Sequence, residues 1–328
     1  MNAKLQSGFL LVVSLFALQE DLPDWQVEVS AGKMAMDAGR YIDADRIYAG
    51  LVASRKTSGI SNLRLAFALA HLALARTAEG RHMEAAGIIH QSIAVLATDS
   101  TDSAAHPEIA AAIWQVIGTC FYYQRQYGEA ERAYVKSLDL LQKSEGGDSR
   151  AIVDLLSNLG SIYQIEHRNR EAEAALSRAT ALIQKMNPVP AYLKASLLNN
   201  IAVLDRSSGR HACARLALEM ALRLIGSCQD CDAVMIVHVE NNLALEYMDQ
   251  KRYKEAVDLF SRAVAVIQTG TPLPRTDVAR ILSHYAQCQR KFDKREIPRI
   301  QAQAKVILNK YPAQQSGDQV MDVTLRGK

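Results

Sequence analysis

Aromatic side chains are scarce in this chain, 6% of 328 residues, and the short motifs that carry chemistry are missing. There is no glycine-rich phosphate loop, no nucleophile elbow and no His-Glu-x-x-His pair. That excludes the common designs of nucleotide-hydrolysing, acyl-transferring and zinc-peptidase sites. Lysine and arginine form no run and no platform with aromatics, so the net charge of +3 reads as a solvated surface and not as a nucleic-acid face. No stretch alternates apolar and polar residues with period two, except the last few residues, which excludes a sheet. Of five cysteines only Cys228 and Cys231 are close in sequence. A lone pair at that spacing is half a zinc site, and no second pair accompanies it. The eight histidines are scattered, with His82 and His211 at recurring turn positions. No catalytic residue, metal site or cofactor is expected.

What the sequence has instead is repetition. A turn residue, a following aromatic or histidine, and an alanine recur as Gly39-Arg40-Tyr41-Ile42-Asp43-Ala44, Gly80-Arg81-His82-Met83-Glu84-Ala85 and Arg125-Gln126-Tyr127-Gly128-Glu129-Ala130. They continue as His167 to Ala172, Gly209 to Ala214 and Lys251 to Ala256, with a weak seventh copy around Phe292. The alanines are spaced 41, 45, 42, 42 and 42, the period of stacked supersecondary units. The extra three residues fall in a longer connection at Thr98–His106.

Each unit reads as two helices. Twelve residues before the alanine lies Gly32, Ala73, Gly118, Gly160, Ala202 or Ala244, small enough for close helix packing. Four residues after it lies Tyr48, Ile89, Tyr134, Leu176, Leu218 or Phe260, the start of a buried stripe. Gly39, Gly80 and Gly209 suit helix C-termini. Pro107, Pro188, Pro190 and Pro274 fall in or near first turns, and Asp148, Ser149 and Asp230 suit N-caps. First helices are predicted over roughly 25–38, 60–79, 107–125, 149–167, 189–208, 231–250 and 275–291, each followed by a second.

The small–aromatic–alanine–large pattern over residues 25–310 resembles the tetratricopeptide repeat family. The longer period and the Asn241-Asn242-Leu243-Ala244 phrase look most like its kinesin light chain variety. The resemblance implies an all-α, right-handed helix-pair solenoid of about seven repeats, acting as one body over 19–310. It implies a non-enzymatic scaffold whose partner is a protein or peptide, with nucleic acid excluded. The alternative from a different class is a self-associating structural or assembly scaffold of the cell envelope, because the degenerate seventh copy caps its end poorly.

Within the repeats, Asn158, Asn200 and Asn242 stand 42 and 42 residues apart. In the family, amides two residues before the small residue line the concave groove and hold an extended peptide. Carried over, the groove set is Asn158, Asn200 and Asn242, with Asn199, Asn241 and His238 beside them. The earlier repeats place Ser30, His71 and Val116 there, and the late one Ile281. Four residues before the asparagines stand Asp154, Ser196 and His238, which departs from the lysine- or arginine-bearing clamp of the family and argues against a free C-terminal carboxylate as ligand. Each amide offers donor and acceptor to a peptide backbone. The other reading is that these amides bridge adjacent repeats.

The ends differ from the repeats. Met1–Ser7 carries one positive side chain, Lys4, and Gly8 to Leu18 is apolar before the polar Gln19-Glu20-Asp21-Leu22-Pro23. A basic start, a short apolar core and a small residue describe a secretory signal peptide over residues 1–18, too short for a transmembrane span, cleaved after Ala17. The expected location is therefore periplasmic or secreted, with no transmembrane anchor after processing, or cytoplasmic if the run is retained. On export Cys228 and Cys231 form a local disulfide. The segment 311–328 reads as a C-terminal tail.

Overall fold

The computed structural model describes residues 23–54, 61–98, 105–144, 149–226, 233–269, 273 and 275–309. Among these every regular element is helical: fourteen α-helices and one short 3-10 turn, with no strand. The first helices are α1 (Pro23–Asp37), α3 (Asn62–Ala78), α5 (Pro107–Tyr123), α7 (Ser149–Ile165), α9 (Ala191–Ser207), α11 (Ala233–Asp249) and α13 (Arg275–Phe292). Their partners are α2 (Tyr41–Ala53), α4 (His82–Thr98), α6 (Tyr127–Lys143), α8 (Asn169–Lys185), α10 (His211–Gly226), α12 (Tyr253–Gln268) and α14 (Ile297–Asn309). The expected seven pairs are therefore present. The signal-peptide run, Cys228, Cys231 and the tail lie outside the described residues.

The chain divides between Ile162 and Tyr163, within α7, into two compact units. In the first, α1 to α6 pack consecutively, and α3 also lies against α5. In the second, α9 to α14 pack consecutively, and the first helices α9, α11 and α13 are neighbours in series. Its core is built from α9 to α14, with Phe260, Leu218, Ile281, Ala244 and Ile300 among the buried residues.

The small first-helix residue and the large second-helix residue meet as the spacing implies. Gly32 lies beneath Tyr48 and Gly118 beneath Tyr134; a Cβ added at either would lie 2.7 Å from the tyrosine ring. Where the large partner is Ile89, Leu218 or Phe260, the small residue is alanine. Buried serines add bonds within pairs: Ser92 Oγ donates to the Ala66 carbonyl at 2.8 Å and Ser137 Oγ to the Ala111 carbonyl at 2.7 Å.

Six turns share one backbone solution. The residue after the first helix is left-handed in every one: Gly39, Gly80, Arg125, His167, Gly209 and Lys251, with φ between 60° and 81°. The next amide then reaches back to the carbonyl five residues earlier, as in Arg40 to Ala35 and Arg252 to Tyr247, both at 2.8 Å. This double closure satisfies carbonyls that the helix end leaves open. Glycine marked only three of the six, since the conformation recurs at three residues that carry a Cβ. Pro107 is the first residue of α5 and Pro190 precedes α9. Ser149, an expected N-cap, is instead the first helical residue of α7.

The seventh turn is built differently. Asp293 caps a 3-10 turn, Lys294–Glu296, by accepting from the Arg295 amide at 3.1 Å. Its hydrogen bonds close one residue sooner than those of the α-helix it leads into, and Phe292, still within α13, is not equivalent to the aromatic residues that open α2, α6 and α12.

Candidate functional site

The side chains that sequence spacing placed on first helices meet in the second unit as one chain of hydrogen bonds. His284 of α13 lies with Nδ1 3.0 Å from Asn241 Oδ1 of α11. Asn241 Nδ2 donates to Asn242 Oδ1 at 3.1 Å. Asn242 Nδ2 crosses to α9 and donates to Asn199 Oδ1 at 2.9 Å. Asn199 Nδ2 donates to Asn200 Oδ1 at 3.4 Å, and the backbone carbonyl of Asn200 accepts from Gln164 Nε2 at 2.8 Å. From Asn241 to Asn200 each side-chain amide donates onward, and Gln164 donates toward Asn200 from the opposite end.

The two steps between helices that join side chain to side chain both span 43 residues, one repeat plus one. That step explains why paired asparagines are needed. Asn241 and Asn199, the first of each pair, face the following repeat, Asn242 sends a bond back to the preceding one, and Asn200 accepts there through its backbone carbonyl. In α13 the residue facing Asn241 is His284, not Ile281, which is fully buried in the apolar core. The expectation for Ile281 followed from aligning Phe292 with the aromatic turn residues; the 3-10 turn removes that equivalence.

Burial grades the members. Asn241 is fully buried, while Asn199, Asn200 and Asn242 are half-buried. Asn242 and Asn199 each use one N–H and one lone pair within the chain, which is half the capacity of a carboxamide. Asn158 belongs to the first unit, where it is half-buried on α7.

The electrostatics keep the site neutral at its centre. Burial, reinforced by the charges of Arg280 and Arg206, pushes the His284 imidazole down to about 4, so the ring is uncharged at neutral pH. The tautomer carrying its proton on Nδ1 completes the chain of donors. His238, one turn before Asn242 on α11, is also held below its ordinary value, by burial, with Asp277 acting in the opposite sense. Burial raises the Asp277 carboxyl, but Arg280 and His238 outweigh it and hold the group below the usual carboxylate range. Arg280 donates to Asp277 at 3.1 Å. Uncharged amides beside a balanced ion pair can form directed hydrogen bonds without selecting strongly for charge. In sequence His284 stands with His71 and His238 as one of three first-helix histidines on the groove side; its partner, 43 residues away, has no local signature.

Comparison with known proteins decides the fold family. Residues 108–185, from α5 to the end of α8, match the family described as tetratricopeptide repeat. The helix pairs α5–α6 and α7–α8 thus match tetratricopeptide repeats, and the other pairs share their architecture. The structure is similar to that of RapI in its apo form, with 10% identity, TM-score 0.59 and coverage of 88% of this chain and 78% of that one. It is similar to a Rap protein complexed with competence and sporulation factor, with 14% identity, TM-score 0.61 and coverage of 87% and 77%. A tetratricopeptide repeat protein from Parabacteroides merdae is likewise similar, with 13% identity, TM-score 0.53 and coverage of 92% and 97%. At these identities the likeness establishes the fold. No curated protein matches the sequence.

Proposed function

We propose that this tetratricopeptide repeat protein is a non-enzymatic scaffold that binds an extended peptide segment of a protein partner along its first helices. The observation that supports this most is the amide series of α9, α11 and α13. Its half-used carboxamides at Asn199 and Asn242 are fixed in orientation by their neighbours, and each retains one donor and one acceptor. A peptide in extended conformation presents alternating N–H and C=O groups, the complement of such a carboxamide. Fixing the amides beforehand lowers the ordering cost of binding. Asn200 extends the surface of the second unit in this reading, and Asn241, His284 and His238 orient it; Asn158 would serve the first unit in the same way. The similar Rap structure is complexed with a separate factor, which supports a search for a bound partner.

The test is selection of peptides from a random display library on the immobilised chain. The peptides retained are expected to lose affinity several-fold against Asn199→Ala and Asn242→Ala, each hydrogen bond contributing about 0.5–1.5 kcal/mol. Failure to select any peptide, or equal binding by both variants, overturns the reading.

Self-association is the second reading, favoured by the exposed apolar side chains Phe292 and Val306 on the last helix pair. Light scattering across concentrations separates the two, since a concentration-independent monomer rejects it. We further infer export directed by residues 1–18 and a local Cys228–Cys231 disulfide. N-terminal sequencing of protein from its host checks the first, and non-reduced peptide mass spectrometry the second.

A further inference from the structure

A second polar cluster lies apart from the amide series and plays no part in it. Two residues after the small packing residue, four of the five earlier first helices bury Ala75, Cys120, Ile162 and Leu204. At the same position α11 carries Glu246, whose side chain is fully buried. A carboxylate at an apolar position is costly unless its charge is matched and its oxygens are bonded. Glu246 Oε2 lies 3.1 Å from Nδ1 of His211, the first residue of α10. Glu246 Oε1 has no hydrogen-bond partner; the charge nearest to it is Arg206 Nε, at 3.5 Å. One turn further along α11, Asp249 is exposed and takes Arg206 Nη2 at 2.7 Å. Ligand atoms of His211, Glu246 and Asp249 all lie within 4.8 Å of one another.

We propose that His211, Glu246 and Asp249 form a binding site for one divalent transition-metal ion of the zinc type, with Arg206 as the counter-ion that the metal displaces. One imidazole and two carboxylates are ligands that zinc accepts, and three protein ligands leave a fourth position for water or for a side chain of a partner. Bonds of about 2.0–2.2 Å require ligand atoms about 3.3 Å apart. Glu246 and His211 already satisfy that at 3.1 Å, so the closure falls mainly to Asp249, whose exposed side chain would turn inward on release from Arg206. Calcium and magnesium fit poorly, because they call for six or more oxygen ligands or near-octahedral geometry. Bound through Glu246 Oε2, the metal would offset the charge of the buried carboxylate and join α10 to α11, elements of successive repeats. Sequence gives no warning of it, because His211 and Glu246 are 35 residues apart and match no ligand-spacing motif.

The experiment titrates the chain with cobalt(II), followed by zinc(II), in a background of Cys213→Ser, Cys228→Ser and Cys231→Ser that removes thiol ligands. The expected result is one equivalent of cobalt with visible d–d absorption, displaced by zinc. Affinity should fall at least tenfold in His211→Gln and in Asp249→Asn, both surface changes whose folding is checked by circular dichroism. Arg206→Gln should tighten binding by removing the competing cation, an outcome that a purely structural ion network does not produce. Absence of saturable binding, binding unchanged in His211→Gln and Asp249→Asn, or weaker binding in Arg206→Gln would each overturn the proposal.

Discussion

Gly118 lies directly beneath the ring of Tyr134, so close that an added Cβ would stand 2.7 Å from both Cδ1 and Cε1. Tyr134 cannot yield easily. It is 2% exposed, and its hydroxyl is 3.1 Å from Thr119 Oγ1. Gly118→Ala should therefore destabilise the chain by about 1–3 kcal/mol through overpacking. Pairing it with Tyr134→Leu, the combination used where alanine faces Leu218, should recover part of the loss. A chemical-denaturation series on the two single variants and the double variant checks this. Additive losses would show that the two positions do not share one contact.

The six left-handed turn residues lead to a prediction of opposite sign. Lys251 holds φ at 61° with a Cβ in place, a conformation that costs a non-glycine residue about 1–2 kcal/mol. Lys251→Gly should stabilise the fold by up to about 1 kcal/mol, the gain being reduced by the greater freedom of glycine in the unfolded chain. The side chain is exposed, so no packing is lost. A rise in denaturation midpoint at constant slope is the expected reading. Gly209→Ala, at φ 73°, should move it the other way.

How much of this was legible in sequence follows from where each constraint acts. The predicted first helices end within two residues of the observed ones, because the alanine anchor, the small residue and the turn are all local. The left-handed backbone at Arg125, His167 and Lys251 was not marked, since those residue types do not announce it; only the hydrogen-bond pattern of the turn does. The groove asparagines stood out by period. Their pairing required knowing that a bond between first helices steps 43 residues, not 42. His284 was hidden for the same reason, and the 3-10 turn after Asp293 disguised its repeat. Glu246 reads in sequence as an ordinary helical acid, and its burial becomes visible only when α10 and α12 pack around α11.

His71 predicts an acid sensitivity. It is buried against Phe67 and Tyr48, at ring-centroid distances of 4.1 Å and 5.2 Å, and Nδ1 lies 2.9 Å from the Phe67 carbonyl. Burial pushes its imidazole from 6.5 down to about 4. The folded value lies below the unfolded one, so the unfolded chain takes up the proton first as pH falls. Stability is complete above about 6.5 and is lost progressively toward pH 4, by about 3 kcal/mol at most from this group. Melting temperature measured from pH 7.5 to 4 should fall over that window. His71→Phe should flatten the curve without abolishing it, because His284 titrates with the same sign.

The amide series itself separates a structural role from a binding role, because its members differ in burial. Asn241 is fully buried and bonds both His284 and Asn242. Asn241→Ala removes partners from both and leaves the His284 imidazole beside an apolar methyl, with an expected loss of about 1–3 kcal/mol of stability. Asn242 is half-buried and reaches toward α9; when it becomes alanine, water can replace it at Asn199, and the loss should stay near 1 kcal/mol. Peptide affinity should show the reverse order at a temperature where every variant is folded. Asn242→Ala and Asn199→Ala remove the groups that would meet a peptide backbone, whereas Asn241→Ala acts only by releasing their orientation. Calorimetric binding of one selected peptide to the three variants, set beside their denaturation midpoints, gives the comparison. If binding falls only in proportion to stability across all three, the asparagines are fasteners between helices, and the peptide surface must be sought elsewhere on the repeats.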